Sequence, residues 1–198
     1  MKMKRLLISV LAIVMLLSMV ACGNPSDQSP DQNSDVNSGS QTTATPAVPF
    51  DPVSGETIDA GNISALCPEG WFNSPVVDMF AAEAGALDTS KLLFLKGTDD
   101  SWSNSPCASI SYYGESGLAL SFAEQLDFYD GAALIDPFMI GDTVWEGLSY
   151  DLGDDVTEVI IGIQGVSAFN VLLRIKGEGQ TISFADADVQ TILSSITY

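Results

Sequence analysis

The chain has 198 residues, with 26 acidic and 7 basic side chains and no histidine, so its formal net charge is −19. This charge excludes nucleic acid as a partner, because binding to phosphates needs several cationic side chains on one face, and it disfavours direct adhesion to anionic lipid. The lack of histidine excludes Ser-His and Cys-His nucleophiles and the commonest zinc sites.

The N-terminal segment is typical of an export signal. Basic residues from Lys2 to Arg5 precede an apolar stretch at 6–17, which is too short to span a bilayer, and small residues follow up to Ala21. The residues directly before Cys22 resemble the lipobox of bacterial lipoproteins. The resemblance implies that the signal peptide at 1–21 is removed and that a diacylglycerol on Cys22 anchors the protein to the bacterial cell membrane, facing outside the cytoplasm. The alternative is ordinary secretion with Cys22 as a free thiol.

Residues 22–54 are predicted to be a disordered linker. Up to about residue 49 the segment is rich in Ser, Asp, Asn, Gln, Thr and Pro, so it cannot bury enough apolar surface to offset the entropy of ordering. A flexible spacer of this length holds the following domain about 30 Å from the membrane. Residues 55–198 are a single domain by length.

Two cysteines, Cys67 and Cys107, lie in this domain. Outside the reducing cytosol an even pair can form a disulfide, and the closed loop of about 41 residues would contribute about 4 kcal/mol in the chain-entropy model. The alternative is a pair of buried thiols that act as small apolar side chains. No Cys-x-x-Cys motif is present, so a redox role is not indicated.

The first half of the domain combines strand and helix patterns. Residues 76–87 predict a weak helix, because Gly85 interrupts the pattern. Ser121 and Glu124 have the spacing of a capping box, which predicts a helix that buries Phe122, Leu126 and Tyr129. The predicted strands are 58–67, ended by the turn Pro68-Glu69-Gly70, then 91–97 and 107–113.

The second half is richer in strands, and a helix ends it. Alternation along 168–176 places Phe169, Val171, Leu173 and Ile175 on one face. The final helix is predicted to begin at the cap Ser183, with Asp186 and Asp188 in its first turn and a buried stripe of Val189, Ile192, Leu193 and Ile196. The other predicted strands are 136–140, 142–152 and 156–163. This order of elements predicts an α+β fold with a mostly antiparallel sheet and helices packed on it.

Three segments resemble the PsbP-like fold. They are "CPEGW" at 67–71, "GLSYDL" at 147–152 and "DADVQTILSSI" at 186–196. That family includes photosystem proteins of the thylakoid lumen and many bacterial lipoproteins. The resemblance covers residues 55–198 and implies an α/β/α sandwich, in which helices lie on both faces of the sheet. It transfers no catalytic residue, because the family uses the fold as a binding scaffold.

The densest acidic turn suggests a calcium site. Asp151, Asp154 and Asp155, with Glu158 nearby, supply the oxygen ligands that calcium takes. The turn lacks the Asp-x-Asp-x-Asp-Gly order of an EF-hand. The alternative is a solvated hairpin loop, and no other cofactor is indicated.

A second candidate site is the segment Thr98–Asn104, where Trp102 stands among small polar residues that include Asp99 and Asp100. An exposed tryptophan in such a setting could stack on a sugar or anchor a protein partner. The alternative is that Trp102 folds back over a sheet edge.

These features favour a membrane-tethered, extracytoplasmic binding or accessory module that engages an envelope protein or a cell-wall glycan. No Gly-x-Ser-x-Gly, Walker or Gly-x-Gly-x-x-Gly motif occurs. A carboxylate-dependent hydrolase is the enzymatic alternative, since its acid and its nucleophile can both be Asp or Glu. A structural subunit of an envelope complex is a further alternative.

Overall fold

The computed structural model describes residues 44–47, 49–118, 120–153 and 155–198. The predicted signal peptide at 1–21, the lipidation site Cys22 and the linker up to residue 43 lie outside the described residues. Within the described ranges, no helix has the length and apolar character needed to cross a membrane.

In the part of the chain that the structure describes, eight strands form one antiparallel sheet, and two further strands form a separate hairpin. The sheet contains β3 (Trp71–Asn73), β4 (Lys91–Lys96), β5 (Cys107–Tyr112), β6 (Ala133–Ile140), β7 (Thr143–Gly153), β8 (Val156–Ile163), β9 (Phe169–Gly177) and β10 (Gln180–Thr181). Its order is β3-β4-β5-β9-β8-β7-β6, with β10 paired to β9. The hairpin consists of β1 (Gly55–Asp59) and β2 (Ser64–Pro68).

The described residues also form two short helices, α1 (Phe122–Gln125) and α2 (Ala187–Ser194), and a 3₁₀ turn (Leu126–Phe128) that continues α1. The prediction of an α+β fold with a mostly antiparallel sheet is confirmed at this level. The strand content is higher than the sequence pattern indicated. For example, β6 begins at Ala133, three residues before the predicted start at Asp136.

The larger hydrophobic core lies on the sheet face that α2 and β2 cover. The alternation predicted for β9 is confirmed there, because Phe169, Val171 and Leu173 are almost fully buried. The predicted stripe of α2 is also confirmed, since Val189, Ile192 and Leu193 are buried and Ile196 packs against the same core. Burial of this stripe supplies the stability that an isolated two-turn helix lacks.

A smaller core lies on the opposite face, under α1. Leu148 and Ile160, which are paired between β7 and β8, are buried there. Phe122, Leu126 and Tyr129 pack against them, as the helical spacing predicted. The capping box is confirmed as well, because the Ser121 side chain accepts from the Glu124 backbone N–H and the Glu124 carboxylate accepts from the Ser121 N–H.

Two predictions about the first half of the domain are wrong. Residues 58–67 form a hairpin instead of one strand, because the chain reverses at Gly61, whose φ of +119° suits glycine, while the Asp59 carboxylate accepts from the Gly61 N–H. Residues 76–87 form a loop instead of a helix. The two ends of that loop are joined by a β-bridge between Val77 and Leu87. Phe80, near the middle of the loop, is 98% exposed, so an apolar face of a helix here would have no surface to pack against.

The start of the last helix also differs from the prediction. Asp186, and not Ser183, is the N-cap residue of α2. The two side chains still meet, because the Asp186 carboxylate accepts hydrogen bonds from the backbone N–H and the hydroxyl of Ser183. This contact closes the turn that leads into the helix.

The described end of the predicted linker contacts the domain. Phe50 packs against the larger core, and the Val53 N–H donates to Thr191 Oγ1 on α2 at 3.0 Å. Thr45 forms a parallel bridge to Phe138, with its N–H donating to the Pro137 carbonyl at 2.9 Å. The edge strand β6 is therefore partly covered by a segment that precedes residue 55.

The predicted disulfide is not formed, since Cys67 and Cys107 of the described chain are both buried, free thiols. Cys67 belongs to the larger core, whereas alternation along β5 turns Cys107 to the face opposite that of its core neighbour Ala108. Burial raises the pKa of Cys67 to about 11, with a smaller contribution from Glu56, and burial also raises the pKa of Cys107. The thiols are therefore protonated at neutral pH and act as small apolar side chains, which was the alternative interpretation.

An ionic contact joins the start of α2 to the sheet. Asp188 Oδ2 accepts from Trp71 Nε1 and from Lys96 Nζ, each at 2.8 Å. Desolvation by itself raises the pKa of this carboxyl, but the hydrogen bonds from Lys96 and Trp71 outweigh it, so the pKa of Asp188 lies below its usual range. The ionised form of Asp188 therefore stabilises the folded state.

We expect Asp188→Asn to lower the free energy of unfolding at pH 7 by about 1.5–3 kcal/mol, the range for a hydrogen bond to a charged group. Because the folded pKa is depressed, this contribution is complete above the unfolded value of about 3.9 and is lost as the pH falls through the lower folded value. Urea unfolding at several pH values would show that the free energies of unfolding of the parent and the variant converge in acid. A difference that stays constant with pH, or one equal to that of the exposed Asp142→Asn control, would contradict this interpretation.

Candidate functional site

The loop between β4 and β5 presents Trp102 to solvent. The side chain is 93% exposed, so the alternative that it folds over a sheet edge is wrong. Two local turns form the tip: the Asp100 N–H donates to Thr98 Oγ1 at 3.1 Å, and the Trp102 N–H donates to Asp100 Oδ1 at 2.9 Å. Asp99 and Asp100 are themselves exposed on the same loop. The predicted binding residues are therefore brought together at one accessible point.

The base of this loop is held by the end of β9. Arg174 donates to the Ser103 carbonyl at 3.1 Å, and the Glu178 carboxylate accepts from the Asn104 N–H at 2.8 Å and from the Ser105 hydroxyl at 2.9 Å. A side chain at Gly177 would collide with the Asn104 carbonyl oxygen, so glycine allows the loop to lie directly on the strand. The residues that follow the tip are thus attached to the central strand of the sheet, β9, and to Glu178 directly after it.

A buried ion pair orients Arg174. Its Nη2 and Nε lie 2.9 and 3.1 Å from Glu158 Oε1, and the Tyr150 hydroxyl donates to Glu158 Oε2 at 2.8 Å. Burial, together with the hydrogen bond to Glu158, raises the pKa of Tyr150, which is also stacked on Tyr129. Each carboxylate oxygen of Glu158 therefore has a donor. The charge of this carboxylate compensates that of Arg174 in a site from which water is largely excluded.

The acidic turn between β7 and β8 lies at the same end of the sheet. Lys176, two residues beyond Arg174 on β9, donates to Asp155 Oδ1 at 2.8 Å, and the Thr157 hydroxyl donates to Asp151 Oδ1 at 2.7 Å. The hydrogen bond and the charge of Lys176 lower the pKa of Asp155, and Asp155 in turn raises the pKa of Lys176. Asp154 lies outside the described residues.

The calcium prediction rests on Asp151, Asp154 and Asp155, and only two of these three residues are described. An ammonium group pairs with Asp155, and among the residues described no cluster of three or more His, Cys, Asp or Glu side chains is placed to hold a metal ion. The calcium site stays a prediction, and the charge of the turn is partly compensated by Lys176 on the neighbouring strand.

The anchoring residues could not be identified from local sequence patterns. Arg174 and Lys176 lie on the more polar face of β9, and their partners depend on the register that sets Cys107 and Glu158 beside Arg174. The sequence offers only a weak signal for this anchoring role: two cations close together, next to a glycine, in a chain with few basic residues. The other two tryptophans, Trp71 and Trp145, are both buried in the larger core.

A scan against protein-family models finds no match to this chain, and a search of curated proteins finds none with significant similarity.

Proposed function

We propose that this protein is a membrane-tethered, extracytoplasmic binding module that engages a cell-wall glycan or an envelope protein through Trp102. The observation that carries the proposal is an indole that is 93% exposed at the tip of a loop whose base is held by Arg174 and Glu178. Leaving a large aromatic group in water forgoes the free energy of burying it. A loop that is already ordered loses little entropy when a ligand covers that group.

The surroundings of Trp102 favour the glycan over the protein. Asp99 and Asp100 are exposed on the same loop as the indole, and one carboxylate oxygen of Asp100 accepts from the Trp102 backbone N–H. A sugar ring has an apolar face that can stack on an indole and hydroxyl groups that can donate to carboxylates. A hot spot for a protein partner usually lies inside a wider apolar patch, which this polar loop lacks.

Membrane tethering is part of the same proposal. It is supported by the export signal, by the lipobox at Cys22 and by the polar linker, which would let the domain reach into the cell wall. The PsbP-like sandwich also belongs to the proposal, and it is supported by the packing of α1 and α2 on opposite faces of the sheet.

The proposal predicts that Trp102→Ala reduces binding to insoluble cell-wall material by at least tenfold, as expected for a central aromatic contact. The measurement is cosedimentation of the purified full chain with that material. Phe80→Ala is the matched control, because Phe80 is an equally exposed aromatic at another loop and should bind as the parent does. The melting temperature should be unchanged in both variants, since neither side chain is buried.

Tryptophan fluorescence provides a second readout on the unmodified chain. Trp71 and Trp145 are 6% and 1% exposed, so Trp102 should account for nearly all quenching by acrylamide. Soluble glycan fragments that cover the indole should reduce this quenching. If Trp102→Ala sediments like the parent and the fragments leave quenching unchanged, the glycan site at Trp102 is wrong. Retained binding of an envelope protein that needs Trp102 would favour the protein partner instead.

A further inference from the structure

A cavity lies at the end of the sheet opposite Trp102. It has a volume of about 280 Å³, close to the lower limit of about 300 Å³ for small-molecule sites. It lies between the segment that leads into α1 and the turn that joins β8 to β9. The apolar lining consists of Leu118, Leu120, Phe122, Ile163, Val166 and Phe169.

The polar part of the same lining includes the hydroxyl groups of Ser121 and Ser167, the amide of Gln125 and the carboxylate of Glu146. Gln125 is only 9% exposed, and its amide nitrogen donates to the Leu120 carbonyl at 3.1 Å, which leaves its Oε1 without a donor among the described residues. Glu146 Oε2 accepts a long bond of 3.3 Å from Gln164. A ligand group that donates several hydrogen bonds would therefore find partners at this wall.

The carboxylate of Glu146 has no cationic partner in the described part of the chain. Every basic residue there is paired elsewhere: Lys91 with Asp88, Lys96 with Asp188, Arg174 with Glu158 and Lys176 with Asp155. A negative charge beside an apolar wall, with every cation of the described chain paired elsewhere, is complementary to a ligand that brings its own positive charge.

We propose that this cavity binds a small organic cation, in which an ammonium group is attached to an aromatic or branched aliphatic body. The ammonium donates to Glu146 and to the Gln125 amide oxygen, and the body packs against the apolar lining. A hydrogen bond between two charged groups at a partly enclosed site is stronger than a neutral one, so the charge of the ligand decides its affinity.

The test compares three probes of similar shape on the full chain by isothermal titration calorimetry: 2-phenylethylammonium, 2-phenylethanol and 3-phenylpropanoate. The ammonium probe should bind on the order of tenfold more tightly than the alcohol, and the carboxylate should not bind. Glu146→Gln should remove the preference for the ammonium probe while keeping the shape of the cavity. Glu83→Gln removes the same charge from an exposed loop and should leave the preference intact.

Equal affinity for the ammonium and the alcohol on the unmodified chain would overturn the proposal, as would no binding of the ammonium probe at millimolar concentration. The comparison of probes does not depend on any variant, so it holds even if Glu146→Gln folds poorly. Trp102→Ala should leave ammonium binding unchanged, which separates this site from the glycan site.

Discussion

Replacing Glu158 by glutamine is expected to lower the free energy of unfolding by about 3–5 kcal/mol, the usual cost of removing one partner from a buried ion pair. Glu158 is 5% exposed, and its two oxygens accept from Arg174 and Tyr150. Glutamine keeps the shape and still offers an acceptor to Tyr150, but it leaves the guanidinium of Arg174 buried without a counter-charge. Urea unfolding of the two proteins measures the difference.

Two further variants sharpen this test. Glu83→Gln, an exposed change of the same kind, should alter the free energy of unfolding by less than about 0.5 kcal/mol. The double variant Glu158→Leu with Arg174→Met should recover part of the loss, because an apolar pair can replace a buried ion pair at little cost. Recovery should be incomplete, since Arg174 also donates to the Ser103 carbonyl. If Glu158→Gln behaves like the exposed control, the proposed role of the ion pair in holding the Trp102 loop is wrong.

Phe94→Ala is expected to lower the free energy of unfolding by about 3–5 kcal/mol, because deletion of a buried aromatic group loses its transfer free energy and leaves a cavity. Phe94 is fully buried on β4, directly opposite Ala108 on β5. The small neighbour makes room for the ring and cannot fill the space when the ring is removed. Thermal or urea unfolding would report the loss.

The matched control is Phe80→Ala, since Phe80 is 98% exposed in the loop between β3 and β4. The two variants remove the same atoms, so the difference between them measures burial alone. Phe80→Ala should change stability by less than about 0.5 kcal/mol. A similar loss from both variants would mean that the loop packs against the domain, contrary to the structure.

Local patterns were sufficient for several elements. The predicted strands at 91–97, 107–113 and 156–163 agree with β4, β5 and β8 to within a residue, because each is a short run of strand-forming residues bounded by turn residues. The capping box at Ser121 was equally visible, since its two hydrogen bonds join residues three apart.

The wrong secondary-structure predictions occur where the sequence pattern is compatible with more than one conformation. The segment 58–67 suits one strand or two, and the two strands of the hairpin fold back because β2 packs on the larger core and against α2. The alanine-rich segment 76–87 could have formed a helix, but it lies outside the sheet, so no core stabilises one there. In both cases the surrounding structure decides between conformations of similar local free energy.

By itself the sequence determined the acidic character, the absence of histidine chemistry, the alternating faces of the strands and the buried stripe of α2. Only the tertiary structure decided that Trp102 is exposed, that Cys67 and Cys107 remain thiols, and that Arg174 and Lys176 pair with Glu158 and Asp155. The pairing of Arg174 with Glu158 depends on the register between β8 and β9, which joins residues far apart in the chain. A shift of one residue would turn one of these two side chains to the other face, so no local pattern contains the answer.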